Sequence, residues 1–104
     1  MSKNLIEVYI HWNQIKSEGG GLIFKALSTN TTLKVFDISW NSIGSGTISI
    51  ANIVSEFFKT NKSLVHLDMS NNNFTYEETL EISKSLNQFN KTIIGIHFIG
   101  NFGL

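Results

Sequence analysis

One spacing of apolar residues and asparagine occurs four times along the chain. The segment from Leu64 to Phe74 shows it most completely, with apolar residues at its first, fourth, sixth and eleventh positions and asparagine at its ninth. The same spacing begins at residues 5, 33, 64 and 93, so successive repeats start 28, 31 and 29 residues apart. A regular period of this length indicates a solenoid, in which each repeat covers the apolar face of its neighbour.

Each repeat combines a strand pattern with a helix pattern. Alternating apolar positions predict strands over residues 5–10, 33–38, 64–69 and 93–98, and helical periodicity predicts helices over about 17–30, about 48–60 and from 75 onward. The helix residues expected to face inward are Leu22, Ile23, Ala26 and Leu27, then Ile50, Ile53, Val54, Phe57 and Phe58, and finally Leu80, Ile82, Leu86 and Phe89.

Two of the predicted helices begin with capping signals. Ser17 can accept a hydrogen bond from an unpaired N–H at the start of the first helix, and Thr75 with Glu78 matches a capping box. Three glycines, 19 to 21, weaken the first turn of the first helix. A close approach of that turn to the neighbouring repeat would explain them.

The repeat resembles a leucine-rich repeat, and its length resembles that of the ribonuclease-inhibitor-like subclass. The first repeat carries the whole subclass pattern, namely Asn13, Ile15, Gly19, Ile23, Ala26 and Leu27. The third has Glu78 in place of the glycine, and the second departs most because Gly44 and Gly46 lengthen its loop. The resemblance implies an α/β fold, a right-handed solenoid of about three and a half repeats, with a parallel sheet on the concave face and helices on the convex face.

Residues 1–104 are expected to form a single leucine-rich repeat domain. The first strand begins almost at once and the fourth repeat has no helix, whereas solenoid ends normally carry a polar cap. We therefore expect the domain to be part of a longer array, or to be capped at either end by further repeats or by another chain.

An asparagine ends each predicted strand, and the four are Asn13, Asn41, Asn72 and Asn101. The resemblance implies that each amide lies inside its turn and bonds backbone groups of its own and adjacent coils, a structural role. Asparagines 30, 61, 73 and 90 begin Asn-x-Ser/Thr triplets. Three of the four occupy the same helix-to-strand turn, so the repeat explains them better than glycosylation does.

Strand residues that alternate with the apolar ones should share the concave face. Stacking the repeats aligns Glu7, Val35, His66 and Gly95, then Tyr9, Asp37, Asp68 and His97, then His11, Ser39, Ser70 and Ile99, and at the rim Trp12, Trp40, Asn71 and Gly100. Aromatic residues beside charged ones are typical of protein-binding surfaces. The predicted protein-binding residues are Glu7, Tyr9, His11, Trp12, Asp37, Trp40, His66, Asp68 and His97.

Each of these residues also has a purely structural interpretation. Aspartates are common at this repeat position, the two tryptophans could stack and seal the loop layer, and the histidines could be ordinary exposed imidazoles. A metal cluster of His66, Asp68 and His97 matches no specific ligand spacing. We therefore predict no metal, no cofactor and no catalytic residue.

Eight lysines balance eight acidic residues, so the formal charge is zero, which argues against nucleic-acid and anionic-membrane partners. The sequence has no cysteine, no signal-peptide pattern and no apolar run long enough to span a membrane, which fits a cytoplasmic protein.

The expected function is a non-enzymatic protein-interaction scaffold whose partner the sequence does not name. The alternative is a structural part of a large axonemal, cytoskeletal or immune-receptor assembly. Similar repeats also occur in activators of Ran-type GTPases, but this chain has no arginine to clamp phosphate charge.

Overall fold

The computed structural model describes residues 6–11, 13–44, 49–90, 92–98 and 100–101. The elements in chain order are β1 (Glu7–Tyr9), α1 (Lys16–Ser28), β2 (Val35–Asp37), α2 (Ala51–Thr60), β3 (His66–Asp68), α3 (Tyr76–Phe89) and β4 (Gly95–His97). The strands form one parallel sheet in the order β1-β2-β3-β4, and α2 packs against both α1 and α3. The predicted α/β class and the parallel sheet are confirmed.

The sheet pairs equivalent positions of the sequence repeat. Val8 lies opposite Phe36, Phe36 opposite Leu67, and Leu67 opposite Ile96. Each strand has three residues instead of the predicted six, but backbone bonds continue the pairing on both sides, as from Ile10 N to Asp37 O. The repeat spacing thus predicts the register correctly and overestimates strand length.

The core lies between the sheet and the helices and is rich in phenylalanine. Phe24 of α1 meets Phe36 of β2 and Phe57 of α2 edge to face, with ring centroids 5.4 Å and 5.2 Å apart, and all three are buried. The apolar residues of β1 and β4, such as Val8 and Ile96, are only partly buried because each edge strand has a neighbour on one side.

Helix α1 differs from its prediction at its start and on its buried face. It begins at Lys16, with Ile15 in the N-cap position and no side-chain cap, so the predicted Ser17 cap is wrong. The buried face includes Phe24, whereas Leu22 is 70% exposed and Ala26 is also exposed, contrary to prediction.

The close approach of α1 to the next repeat explains why the helix buries the side that carries Gly20 and Phe24. A Cβ added at Gly20 would lie 2.7 Å from Cδ1 of Ile43 in the next repeat, so the glycine lets the helix pack tightly there. The expected contact between the glycine-rich turn and the neighbouring repeat is therefore confirmed at Gly20.

Helices α2 and α3 follow their predictions more closely. In α2 the predicted inward residues are buried or partly buried. In α3 the Thr75 hydroxyl accepts from the Glu78 N–H and the Glu78 carboxylate accepts from the Thr75 N–H, each at 3.1 Å, which confirms the capping box. Leu80, predicted to be buried, is exposed because it lies on the outer side of α3.

Some predictions fall outside the described residues, namely those that rest on Leu5, Trp12, residues 45–48 and Ile99. Over the part of the chain that the structure describes, no helix has both the length and the apolar character needed to cross a bilayer.

Candidate functional site

The four strand-ending asparagines form a continuous hydrogen-bonded row, which we call the first amide ladder (Asn13, Asn41, Asn72 and Asn101). The backbone N–H of each of the first three donates to the side-chain oxygen of the next, at 2.8, 2.8 and 2.9 Å. The side-chain NH₂ groups donate to strand-end carbonyls of their own repeat and, from Asn41 onward, of the preceding repeat. These amides close the turns that hold each strand end in place.

A second row of amides, at the three helix-to-strand triplets that the sequence repeat explains better than glycosylation, holds the other ends of the strands. We call Asn30, Asn61 and Asn90 the second amide ladder. The side-chain oxygen of each accepts the N–H groups two and three residues later, at 2.7 to 3.0 Å. The NH₂ groups of Asn61 and Asn90 donate to carbonyls of the preceding turn. The recurrence of asparagine at the repeat period, three residues before the second, third and fourth strand patterns, was the signal available in the sequence.

The side chains that alternate with the core positions lie on the sheet surface away from the helices, which we call the open face. Its described members are Glu7, Tyr9, His11, Val35, Asp37, Ser39, Trp40, His66, Asp68, Ser70, Gly95 and His97. The register places Glu7, Val35, His66 and Gly95 in one row, and Tyr9, Asp37, Asp68 and His97 in the next. The six predicted protein-binding residues in these two rows therefore share this surface, and His11 joins them through its contact with Asp37. Trp40 lies at the rim of the surface, and Trp12 lies outside the described part.

On the β1–β2 half of the open face, the polar groups bond mainly to one another. Asp37 Oδ2 lies 3.3 Å from His11 Nδ1, and Asp37 Oδ1 accepts from both N and Oγ of Ser39, at 3.0 and 2.7 Å. The Tyr9 hydroxyl donates to the Glu7 carboxylate at 2.8 Å. This hydrogen bond, with the nearby negative charges, raises the pKa of the Tyr9 phenol.

On the β3–β4 half, the carboxylate and imidazoles have fewer partners among the residues that the structure describes. Asp68 Oδ1 accepts from the Ser70 N–H at 3.0 Å. The rings of His66 and His97 are tilted against each other with centroids 4.9 Å apart. His66 lies against Gly95, where any added Cβ would collide with its ring.

Along the rim, residues on either side of the first amide ladder adopt left-handed backbone. Those before a ladder asparagine are Trp40, Asn71 and Gly100, with φ of 60°, 57° and 87°. Those after one are Gln14, Ser42 and Asn73, with φ of 48°, 54° and 62°. All six of these residues line a cavity of about 300 Å³, and Trp40 among them is 44% exposed. The turn geometry thus presents Trp40 to solvent at the edge of the open face.

A further exposed row, missed by the sequence analysis, precedes the strands. Ile6, Lys34, Val65 and Ile94 are adjacent through backbone bonds, and Ile94 is 88% exposed. Their period matches that of the sequence repeat, but they lie outside the alternating positions from which the open face is predicted. As for metals, no cluster of three or more potential ligands occurs among the residues that the structure describes.

Comparisons with known proteins agree with this geometry. A leucine-rich repeat family model matches residues 29–46 and 60–77, which contain β2 and β3 with the turns that follow them. No curated protein sequence matches the chain. The matches to the two central repeats support a leucine-rich repeat protein.

The solved structures that share the fold include a tropomodulin domain and a leiomodin actin-binding site. The tropomodulin C-terminal domain of Caenorhabditis elegans superimposes with a TM-score of 0.79 at 19% identity over 96% of this chain. Leiomodin-1 actin-binding site 2 superimposes with a TM-score of 0.71 at 25% identity over 91% of this chain. The matched regions cover 58% and 53% of those two chains, so this chain spans little more than half their length.

Proposed function

We propose that the chain is a non-enzymatic protein-interaction module that binds its partner on the open face. In this proposal residues 1–104 form one right-handed leucine-rich repeat domain of the ribonuclease-inhibitor-like subclass, with about three and a half repeats. The open face is its concave side. The observation that carries the proposal is the alignment of aromatic, imidazole and carboxylate side chains on one sheet surface that the helices leave uncovered.

The composition of the open face supports a protein partner. Tyr9 is 56% exposed and Trp40 is 44% exposed, and tyrosine and tryptophan are the residue types that most often anchor protein interfaces. Carboxylates and imidazoles lie between these aromatic residues and can set orientation through hydrogen bonds. The cavity at Trp40 is lined mainly by polar groups, unlike the apolar pockets that typically bind small molecules.

We propose actin as the partner and the cytoskeleton as the cellular setting. The support is the likeness to leiomodin-1 actin-binding site 2, together with the fold shared with tropomodulin. In this setting the module would act inside the cell, as part of an actin-containing assembly.

Actin cosedimentation and monomer binding with matched tyrosine variants test the proposal. Tyr9→Ala removes an exposed tyrosine from the open face, whereas Tyr76→Ala removes one of nearly equal exposure, 58%, from the start of α3. We expect Tyr9→Ala to weaken actin binding about tenfold or more, a typical effect for an interface anchor, and Tyr76→Ala to leave it unchanged.

Trp40→Asn provides a second open-face variant with little backbone strain, because Asn71 already occupies the equivalent left-handed position in the next repeat. Unchanged thermal melting would show that the fold survives in each variant. Equal binding by wild type and both open-face variants, or a loss confined to Tyr76→Ala, would overturn the assignment of the surface. Absence of actin binding by the wild-type chain would overturn the assignment of the partner.

A further inference from the structure

We propose that the β3–β4 half of the open face is a subsite for an arginine side chain of the protein partner. Asp68 would supply the carboxylate, and the imidazoles of His66 and His97 would flank the guanidinium group. The inference rests on the proposed protein-binding function and specifies the chemistry that the partner must offer.

The first observation is a difference between two aspartates that are paired in the sheet. Asp37 and Asp68 are register partners on β2 and β3. Both oxygens of Asp37 are engaged, one by Ser39 and the other by His11. Among the described residues, Asp68 accepts only from the Ser70 N–H, and no donor contacts its second oxygen. Asp68 is only partly buried, so this oxygen remains available to a partner.

The second observation is the imidazole pair beside Asp68. His97 is the register partner of Asp68, and His66 is two residues before it on the same strand. Gly95 lets the His66 ring lie against β4, which brings the two rings within 4.9 Å of each other. Planar guanidinium groups stack on aromatic faces and bind carboxylates in a fixed geometry, so this arrangement suits arginine better than lysine.

The third observation is the distribution of charge. The charged residues of the described open face, apart from its histidines, are Glu7, Asp37 and Asp68, all acidic. The described lysines lie on helices, in turns or in the row before the strands, at positions 16, 25, 34, 59, 62 and 84. A molecule with zero formal charge thus presents an acidic surface to its partner, and the complement of that surface is a basic group. The lack of a three-ligand cluster in the described chain favours an organic cation over a metal ion.

The test is a nuclear magnetic resonance titration of the isotope-labelled chain with the probe peptide Gly-Arg-Gly amide. Gly-Lys-Gly, Gly-Gln-Gly and Gly-Glu-Gly amides serve as comparison probes, and all four peptides are N-acetylated so that the central side chain carries their only charge. We expect saturable shifts of the His66 and His97 ring signals and of the Ser70 amide signal. The shifts should be strongest with arginine, weaker with lysine and absent with the neutral and acidic peptides.

Matched aspartate variants locate the subsite. Asp68→Asn should weaken binding of the arginine peptide at least fivefold, whereas Asp37→Asn should leave it nearly unchanged because that carboxylate is already engaged. His66→Ala with His97→Ala should reduce the preference for arginine over lysine. Equal binding by wild type and Asp68→Asn, equal shifts with the glutamine peptide, or shifts centred on His11 would overturn the subsite.

The same variants separate this inference from the proposed function. If Tyr9→Ala weakens actin binding but the arginine peptide does not bind at Asp68, the inference fails and the proposed function stands. If the arginine peptide binds at Asp68 but actin does not bind the chain, the subsite stands and the proposed partner fails.

Discussion

The amide ladders and the open face use polar side chains at the same repeat period for opposite purposes. Asn72 is fully buried, its oxygen accepts two N–H groups, and its NH₂ group donates to three carbonyls. Asp68, four residues earlier, is partly exposed and accepts one N–H group. A polar residue whose bonds are complete inside the chain stabilises the fold, whereas one whose bonds are incomplete is available to a partner.

Among substitutions that test this contrast, the largest loss of stability is expected at Asn72. Asn72→Ala should lower the free energy of unfolding by about 2–4 kcal/mol, because it leaves the buried N–H groups of Asn41 and Ile43 without their acceptor and removes one of the two donors from each of three carbonyls. Urea denaturation measures the loss. Asn13→Ala is the control, since that residue is exposed, and it should cost under about 1 kcal/mol. Equal losses would show that burial does not decide what a ladder amide contributes.

The second amide ladder should show a smaller loss of the same kind. Asn61→Ala should cost about 1–3 kcal/mol, because the buried Asn61 side chain accepts from the Ser63 and Leu64 N–H groups and donates to two carbonyls. Thermal and urea unfolding measure the change. Asn87→Ala, at an exposed position of α3, is the matched control and should be neutral. A neutral Asn61→Ala would mean that this ladder does not stabilise the fold.

Substitutions on the open face should change the free energy of unfolding very little, in contrast to those in the amide ladders. Asp68→Asn and His97→Gln should each alter the free energy of unfolding by less than about 0.5 kcal/mol, since neither side chain completes a buried network. Urea denaturation under identical conditions gives the comparison. If either variant lowered the free energy of unfolding by several kcal/mol, that residue would stabilise the fold and would not be free for binding.

The smallest expected effect is on the ionisation of Tyr9. The neutral phenol donates to Glu7, and its ionisation would remove that bond and place two negative charges side by side, so the Tyr9 pKa is raised. Glu7→Gln should lower the Tyr9 pKa towards the ordinary tyrosine value. An ultraviolet titration of the phenolate, with Tyr9→Phe to identify its share of the signal, measures the change. An unchanged titration would show that the Tyr9–Glu7 pair does not form in solution.

The sequence predicted the sheet better than it predicted the helices. Strand register follows the spacing of core residues, because each core position pairs with its equivalent in the next repeat. The prediction of the buried face of α1 was wrong because Gly20 lets that side of the helix pack closely against Ile43, which the spacing of apolar residues does not indicate. Leu80 is exposed because Thr79, Ile82 and Ser85 form the buried side of α3, so apolar character alone does not indicate which side of a helix faces the core.

The sequence also predicted which residues lie on the open face, but not which contacts their side chains make. Alternation along a strand fixes which side of the sheet a residue occupies. It does not say that His11 engages Asp37, or that the two remaining histidines lie together against Gly95. Those contacts depend on side-chain rotamers and on small residues in neighbouring strands, which a repeat template leaves open.

The first amide ladder is directional, since each backbone donor reaches forward to the oxygen of the following repeat. A duplicated unit of about thirty residues inserted between two repeats would bring one new backbone donor and one new side-chain acceptor, so the hydrogen bonds of the first amide ladder would continue through it. A deletion of only a few residues would instead put a core side chain where the amide must be. Growth and loss by whole modules is therefore the form of length change that this architecture tolerates.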